Sequence, residues 1–531
     1  MILFEKLIVE EASLLKTCID FFARNKFFST TAFILSIIYV INERILKPPK
    51  RLRHIPYQGY FELFKSIKNK ESYWDRSYRL TLPYINSPKN NNVYLRPGRT
   101  GWEVHIANPA DAKFILLKHD LFPKANMMAG AGKRTLTGKF MDSANILFSN
   151  GHIWKSQRMI ANPAFRRSMP VKLFGKLTVD LFKVVDDMPE TVEVTDLMER
   201  WTLDAIGKAG FGFDFNAIRE KDNPWVNSYN MINKGIQDPL YLLFPLLDST
   251  LLGLFPKRKR IHLEMDKFLK MIDHVILNKR EDMKNNQPNE DLEENERDLL
   301  SLMIEGENRG EGILTNGELK SNLCLFFLAG HETTTNALSF IIYYLAKYPH
   351  IQQKARDEAI RILGDEPFDI LPTADQLKQI VYINQVIKET LRLNGPTIGV
   401  LPRIVSEDIV LPSGVPVPKG VGITVDIFNI HHCEKYWTNP DQFDPERFNE
   451  NYGKDVRKSG EGLTYLPFGN GARQCLGMNF SLVEQRVMLL MLLRKYVWNL
   501  PDDSIHKDKI ITAGMFIIAP QNLKITFQRR Y

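Results

Sequence analysis

Cys475 stands in the run Phe468-Gly469-Asn470-Gly471-Ala472-Arg473-Gln474-Cys475-Leu476-Gly477, directly before a helical apolar pattern from Phe480 to Tyr496. Glycine turns and a helix N-terminus bring backbone N–H groups towards the sulfur, and both favour the thiolate. A thiolate held in this way is an iron ligand; the plainer reading is an ordinary buried cysteine in a loop. In the iron-binding reading, Gly471 and Gly477 permit close approach of a flat macrocycle, Arg473 pairs with an acidic arm of that macrocycle, and Phe468 shields the sulfur.

A second constellation is Ala329-Gly330-His331-Glu332-Thr333-Thr334. A glycine next to two threonines weakens helical hydrogen bonding, and the Thr333 hydroxyl can bond the Ala329 carbonyl, opening a groove in which oxygen could bind. Glu332 beside Thr333 offers a carboxylate and a hydroxyl for relaying protons. A helix kink carrying a solvated Glu is the alternative. Glu389 and Arg392, three apart, share one helical face, as surface pairs also do. Trp154 and Arg158, four apart, share another, which an aromatic with a snorkelling arginine would equally explain. His431 and His432 read as packing or polar contacts, because no acidic or cysteine partner stands at metal-site spacing.

The elements that must position these residues are mostly helical. Asn316 opens a long apolar segment that reaches Tyr348 before Pro349 and reads as a central helix; Asp298 to Ile304 begins another helical pattern. Strand-like runs are concentrated at Val93 to Ile106 and Ile398 to Ile423, and the polar stretch from about Asn278 to Asp298 reads as a surface loop. The expected fold class is mainly α with a minor β-sheet domain. A chain of 531 residues exceeds the size of most single cores, while 44% hydrophobic and 25% charged residues are ordinary globular values that exclude a disordered or multi-spanning chain. Four widely separated cysteines exclude a disulfide framework and suit a reducing compartment. The net charge of +8 comes without a basic run interleaved with aromatics, so it reads as a solvated basic surface and no nucleic-acid partner is expected.

Residues 27 to 42 carry no charge and are strongly apolar, slightly short of the roughly 20 residues that span a bilayer unless the helix tilts or Arg24 and Lys26 snorkel. A cleaved signal peptide is disfavoured, because Glu43, Arg44, Lys47, Lys50, Arg51 and Arg53 follow in place of a small-residue cleavage site. The basic flank belongs in the cytosol. The expected organisation is an N-terminal membrane anchor over 1–46 with its transmembrane helix at about 27–42, a basic Pro-rich hinge over 47–56, and a catalytic domain over 57–531.

The Cys475 segment matches Phe-x-x-Gly-x-Arg-x-Cys-x-Gly at every position and so resembles the haem-binding loop of the cytochrome P450 family. The resemblance runs from about Pro56 to the C-terminus, with its motifs in the family's order: Trp154, Thr333, Glu389, Arg447, Cys475. It implies the cytochrome P450 fold and haem b (iron protoporphyrin IX), with Cys475 as the axial iron ligand. It implies that Trp154, Arg158, Arg403 and Arg473 bind the cofactor's propionate side, with Phe468 against the sulfur, and that Glu332 and Thr333 are catalytic. Arg447, from Pro445-Glu446-Arg447-Phe448, is implied to join Glu389 and Arg392 in a buried charge network that fixes the Cys475 loop. The family leaves the position of His331 variable, so His331 receives no catalytic role. Substrate contacts are implied at Met127 to Phe148, Leu325 to Thr333, Thr397 to Leu401 and Ala513 to Phe516.

The implied activity is insertion of one oxygen atom from O2 into a lipophilic substrate such as a steroid, fatty acid or xenobiotic. The chain holds no dinucleotide fingerprint, so electrons are expected from a separate NADPH-cytochrome P450 reductase, with cytochrome b5 as an auxiliary donor. Lys155, Arg166, Arg167 and Arg486 are candidate docking residues for that donor. The implied location is the endoplasmic reticulum membrane, single-pass, with the catalytic domain facing the cytosol. Lys47-Pro48-Pro49-Lys50 departs from the Pro-Pro-Gly-Pro form of many microsomal members. Two other functions stay open: a haem-thiolate isomerase or dehydratase, and a non-enzymatic haem sensor or carrier. Glu332 and Thr333, which the former can lack, favour the monooxygenase.

Overall fold

In the computed structural model the described residues are 42–531 except 70, 88–89, 99–100, 127–131, 142–143, 239, 242–243, 286–293, 450–462 and 515–516, together with Thr31, Leu35, Ser36 and Tyr39 upstream. The expected span at 27–42 therefore lies almost wholly outside them. Among the described residues no helix is long and apolar enough to cross a membrane.

The principal helices are α1 (Tyr60–Lys68), α2 (Pro109–Leu117), α3 (Leu136–Phe140), α4 (Gly151–Arg167), α5 (Val171–Asp186), α6 (Val194–Ile206), α7 (Pro224–Ile236), α8 (Pro256–Asn285), α9 (Leu299–Asn308), α10 (Asn316–Lys347), α11 (Pro349–Leu363), α12 (Tyr382–Asn394) and α13 (Met478–Lys495). Side-chain acceptors from Asn108, Thr135, Asn223 and Asp298 start α2, α3, α7 and α9, and Thr315 with Glu318 forms a capping box at α10. The 32-residue α10 is buried from Leu323 to Phe327 and again from Thr334 to Ala346, and α13 is buried on almost every side, so these two helices form the centre of the body.

The strands are β1 (Val93–Gly98), β2 (Gly101–Ile106), β3 (Thr191–Glu193), β4 (Arg403–Ile404), β5 (Gly422–Val425), β6 (Tyr496–Asn499) and β7 (Lys524–Arg529), with two short ribbons at 409–417 and 512–520. A four-stranded sheet runs β1-β2-β5-β4, parallel only between β2 and β5, and a three-stranded sheet runs β3-β7-β6. The first sheet covers its own apolar core of Leu95, Val104, Ile423 and Val425, into which Leu52 and Ile55 are buried. The Pro-rich segment is thus packed onto the sheet. Arg53 donates to the Pro48 carbonyl at 2.9 Å and pairs with Glu43 at 2.7 Å, and the His54 ring meets the Pro416 carbonyl at 3.0 Å.

Two local expectations are corrected. The polar stretch from 278 does not loop at once: α8 continues to Asn285, because Lys, Arg, Glu and Met are good helix formers and Met283 still packs against the core. The C-terminal strands β6 and β7 lie outside the expected strand regions. In β7 only Ile525 and Phe527 point inwards, too short an alternation to stand out.

One buried carboxylate ties together the segments between α3 and α8. Asp248 accepts from Arg258 at 2.8 Å, from His262 at 2.9 Å and from the Leu136 N–H at 2.9 Å, and Arg258 also donates to the Gly235 carbonyl at 2.6 Å. Burial would raise this carboxyl, but the hydrogen bonds from Arg258, His262 and Leu136 hold it at about 2. Because the folded value lies below the ordinary 3.8, the stabilisation is complete above that pH and is lost as pH falls through about 2. Asp248→Asn is expected to cost about 3 kcal/mol by stranding the buried Arg258, and to remove this share of the acid sensitivity. Urea unfolding from neutral to strongly acidic pH checks it; identical pH dependence in the two proteins would count against it.

Candidate active site

The Cys475 loop is shaped by its neighbours. Gly469 and Gly471 have φ of 66° and 72°, a region that disfavours any side chain, and a Cβ on Gly471 would meet the Leu116 carbonyl oxygen at 2.5 Å. The approach that demands glycine at 471 is thus that of α2. At Gly477 an added Cβ would meet Phe165 at an ordinary 3.7 Å. The Cys475 N–H donates to the Phe468 carbonyl at 2.9 Å, and the Gly477 N–H, at the N-cap of α13, points to the sulfur. Cys475 is exposed although protein surrounds it as closely as a core residue, so its thiol faces an enclosed open space. Burial raises the thiol above its ordinary value against the pull of the Gly477 N–H and Arg158. The loop and helix terminus alone leave a thiol, and a bound cation must displace its proton.

Four cations gather on one side of this space. Trp154, buried on α4, carries the Arg473 guanidinium 3.8 Å above its ring. Arg473 donates to the Ser149 carbonyl at 2.8 Å and to Asn150 at 3.0 Å, Arg158 to the Gln474 carbonyl at 3.3 Å, and Arg403 of β4 to the Ile115 carbonyl at 3.0 Å. Burial, reinforced by mutual repulsion, pushes Arg473 to about 10 and Lys124 to about 7; burial alone takes Arg403 to about 10. Arg158 Nε, Arg403 Nε and one terminal nitrogen of Arg473 are buried without an acceptor. Each such donor costs about 1–3 kcal/mol until an acceptor arrives. A macrocycle with two carboxylate arms supplies the acceptors, so these residues fit haem. Lys124 carries no sequence signal; its bridge to Arg403 alone places it here.

Above the loop, α10 turns an open face. Ala329 is exposed, and Leu328, Gly330, Glu332 and Thr333 are half-buried, between two fully buried stretches. The Thr333 hydroxyl donates to the Ala329 carbonyl at 2.7 Å. Glu332 turns the other way, accepting from Gln237 at 3.0 Å, and burial raises its carboxyl. The structure therefore does not bring the Glu332 and Thr333 side chains together. His331 is a core residue whose ring meets the Glu199 carbonyl at 3.0 Å, and burial lowers it to about 4. Thr334 bonds Ser481 at 2.9 Å and Glu484 at 3.2 Å, fixing α10 to the helix that follows Cys475. Glu484 was absent from the sequence candidates. Burial lifts its carboxyl well above the ordinary value.

Behind the loop, Arg392 grips Glu389 through two hydrogen bonds of 2.8 Å, and Arg447 and the Asp444 N–H add bonds of 3.2 and 3.0 Å. The Glu389 and Arg392 side chains are 0% exposed. Arg392 also donates to the His431 carbonyl at 2.8 Å. The His431 ring, which burial and Arg392 lower to about 3, accepts the Leu466 N–H at Nε2 and meets the Arg392 carbonyl through Nδ1 at 3.2 Å. Those bonds place its proton on Nδ1. The Leu466 carbonyl in turn accepts the Gly469 N–H at 2.9 Å, so the network reaches the Cys475 turn through His431.

A lone thiol in an enclosed space, flanked by unsatisfied guanidinium donors and overhung by an opened helix, defines a haem-thiolate protein. The chain belongs to the cytochrome P450 family, whose profile matches residues 94–527. It is 31% identical over 411 residues to cytochrome P450 3A12 of Canis lupus familiaris, covering 74% of this chain and 76% of that one. It is 32% identical over 412 residues to cytochrome P450 3A5 of Homo sapiens, with the same coverage. The fold matches the crystal structure of the cytochrome P450DA heme domain with a TM-score of 0.72 at 21% identity, over 92% of this chain and 99% of that one. The chain is a cytochrome P450 monooxygenase.

Glu389→Gln removes one charge from a fully desolvated cluster, at a cost of about 3–5 kcal/mol. The expected result is a protein with helical circular dichroism that retains little or no haem after purification. Full haem loading would show that the network does not hold the loop.

Proposed function

We propose that this monooxygenase binds haem b through Cys475 and hydroxylates a lipophilic substrate such as a steroid, fatty acid or xenobiotic. The observation that carries the proposal is the exposed Cys475 thiol set opposite three unpartnered arginine donors. When bound, haem b would supply the iron for O2 activation, and Cys475 would hold it as a thiolate, whose electron density favours O–O cleavage. Cys475 would give up its proton on ligation. Arg158, Arg403 and Arg473, with Lys124, would bind the propionates, and Trp154 orients Arg473 over its ring face. Phe468 closes the turn around the sulfur.

Thr333 holds a hydroxyl proton at the groove, and Glu332, whose carboxyl burial raises, is the carboxyl one residue away that can pass a proton to it. To deliver that proton, Glu332 must leave Gln237 and rotate towards Thr333. Half-buried Ile398, Val400 and Leu401 supply an apolar wall that suits a lipophilic substrate. The stretches Met127 to Phe148 and Ala513 to Phe516 lie partly outside the described residues.

Electrons come from NADPH through NADPH-cytochrome P450 reductase, with cytochrome b5 as an auxiliary donor. Lys155 and Arg166 on α4 are exposed and suit an acidic partner surface. Arg167 is engaged by Glu311 at 3.0 Å and Arg486 by Asn384 at 2.7 Å, so neither is offered for docking. The anchor at about 27–42 holds the chain in the endoplasmic reticulum membrane as a single pass, with the catalytic domain over 57–531 in the cytosol.

Cys475→His is expected to convert the reduced carbon monoxide spectrum from the thiolate to the imidazole type, and an unchanged spectrum would sink the assignment. In reductase-reconstituted enzyme, Thr333→Ala is expected to lower product formed per NADPH by about tenfold or more. Wild-type coupling in that variant would remove Thr333 from the relay.

A further inference from the structure

Away from the Cys475 loop, two arginines face one small cavity beside β1. Arg76 closes the short helix Tyr73–Arg76, and Arg96 stands on β1 two residues after Tyr94, on the same face of the strand. Their guanidinium carbons lie 5.0 and 5.7 Å from the centroid of the same Tyr73 ring. Both side chains line a partly open cavity of about 20 Å³, walled by Glu62 and Leu63 of α1 and flanked by Leu80 and Pro97. Arg96 is half-exposed although protein surrounds it as closely as a core residue, so its side chain faces that space.

The carboxylates nearby are engaged elsewhere. Asp426, just after β5, accepts from the Tyr73 hydroxyl at 3.1 Å, the Asn429 amide at 2.7 Å, the Asn429 N–H at 3.2 Å and the Tyr94 hydroxyl. Glu62 and Glu71 both turn to Arg79, at 2.6 and 2.7 Å. Arg96 keeps a hydrogen bond to Tyr94, but among the described residues neither Arg76 nor Arg96 forms an ion pair. Burial first, then repulsion from Arg96, lowers Arg76 to about 10. Two guanidiniums without a counter-ion, with open space before them, suit the oxygens of a phosphate group. The cavity has room for about one water-sized oxygen, which leaves the rest of such a group at its mouth.

The helix that walls the cavity supplies an apolar half. Phe61 and Phe64, three apart on one face of α1, are 75% and 62% exposed, with exposed Lys65 and Lys68 beside them. Tyr60 packs edge-on to Trp102 at 5.7 Å and fixes the helix to β2. Exposed aromatic rings next to an unpaired cation couple match an amphiphile whose anionic head carries apolar chains. We infer that Arg76 and Arg96 bind the phosphate of an anionic phospholipid, with Phe61 and Phe64 against its acyl chains. The inference rests on the reading that residues 27–42 bring the chain to a membrane.

The test is calorimetric titration of the full-chain holoenzyme in detergent, against a blank of empty micelles, with two probes: the water-soluble lipid dihexanoyl phosphatidate and inorganic phosphate. Saturable binding of the lipid is expected, weakened about tenfold or more in Arg76→Gln and in Arg96→Gln. Arg76→Lys, which keeps the charge and loses the fork, should fall between, and it replaces Arg76→Gln if that variant does not fold. The double variant Phe61→Ser, Phe64→Ser should weaken the lipid and leave inorganic phosphate unchanged. No saturable binding of the lipid, or wild-type affinity in both arginine variants, overturns the inference. Inorganic phosphate binding as tightly as the lipid, with no effect of the phenylalanines, overturns the lipid as its source. Alkaline extraction of membranes carrying the full chain separates the two readings: release of the wild type refutes the membrane reading, whereas retention without phosphatidate binding refutes the headgroup site alone.

Discussion

A carboxylate removed from water between two guanidiniums is the constraint on which the rest of this molecule depends. Glu389 has no contact with solvent, and it is tolerable only because Arg392, Arg447 and the Asp444 N–H meet its oxygens. The cluster is also directional. From Arg392 it continues through the neutral His431 ring to Leu466 and so to the turn that presents Cys475. Rotation of the loop would break its bond to the His431 ring, a buried acceptor that no water can reach.

The two groups of buried charge near Cys475 differ in a way that separates structure from function. Around Glu389, one carboxylate and two guanidiniums of opposite sign face one another and are hydrogen-bonded. Around Lys124, Arg158, Arg403 and Arg473 the cations repel one another, and three of the arginine donors find no acceptor. Such frustration is a standing cost that a bound acceptor relieves. The same contrast holds on α10, where one open turn interrupts a helix otherwise packed into the core.

Much of this was legible in the sequence where the signal is local. The ten residues around Cys475, the central helix with its proline stop, and Glu389 with Arg392 one turn on all carry their spacing within a single element. What was not legible comes from long-range contacts. Lys124 enters the cation group through a bridge to Arg403, and His431 joins the network through Leu466. Glu484 matters because α10 lies beside it. The sequence suggests room for a macrocycle at Gly471, but the Leu116 carbonyl occupies that side. The continuation of α8 and the short C-terminal strands escaped for the opposite reason, since propensity and a partner strand decide them and no hydrophobic period marks them.

The Pro-rich segment that follows Asn42 has a mechanical consequence. With Leu52 and Ile55 sunk into the sheet core and Arg53 clasping Pro48 and Glu43, it is a bracket bolted to the body. A rotation of the chain at Asn42 is transmitted to the sheet as torque, so the heading of the sheet is inherited from the direction in which the polypeptide arrives.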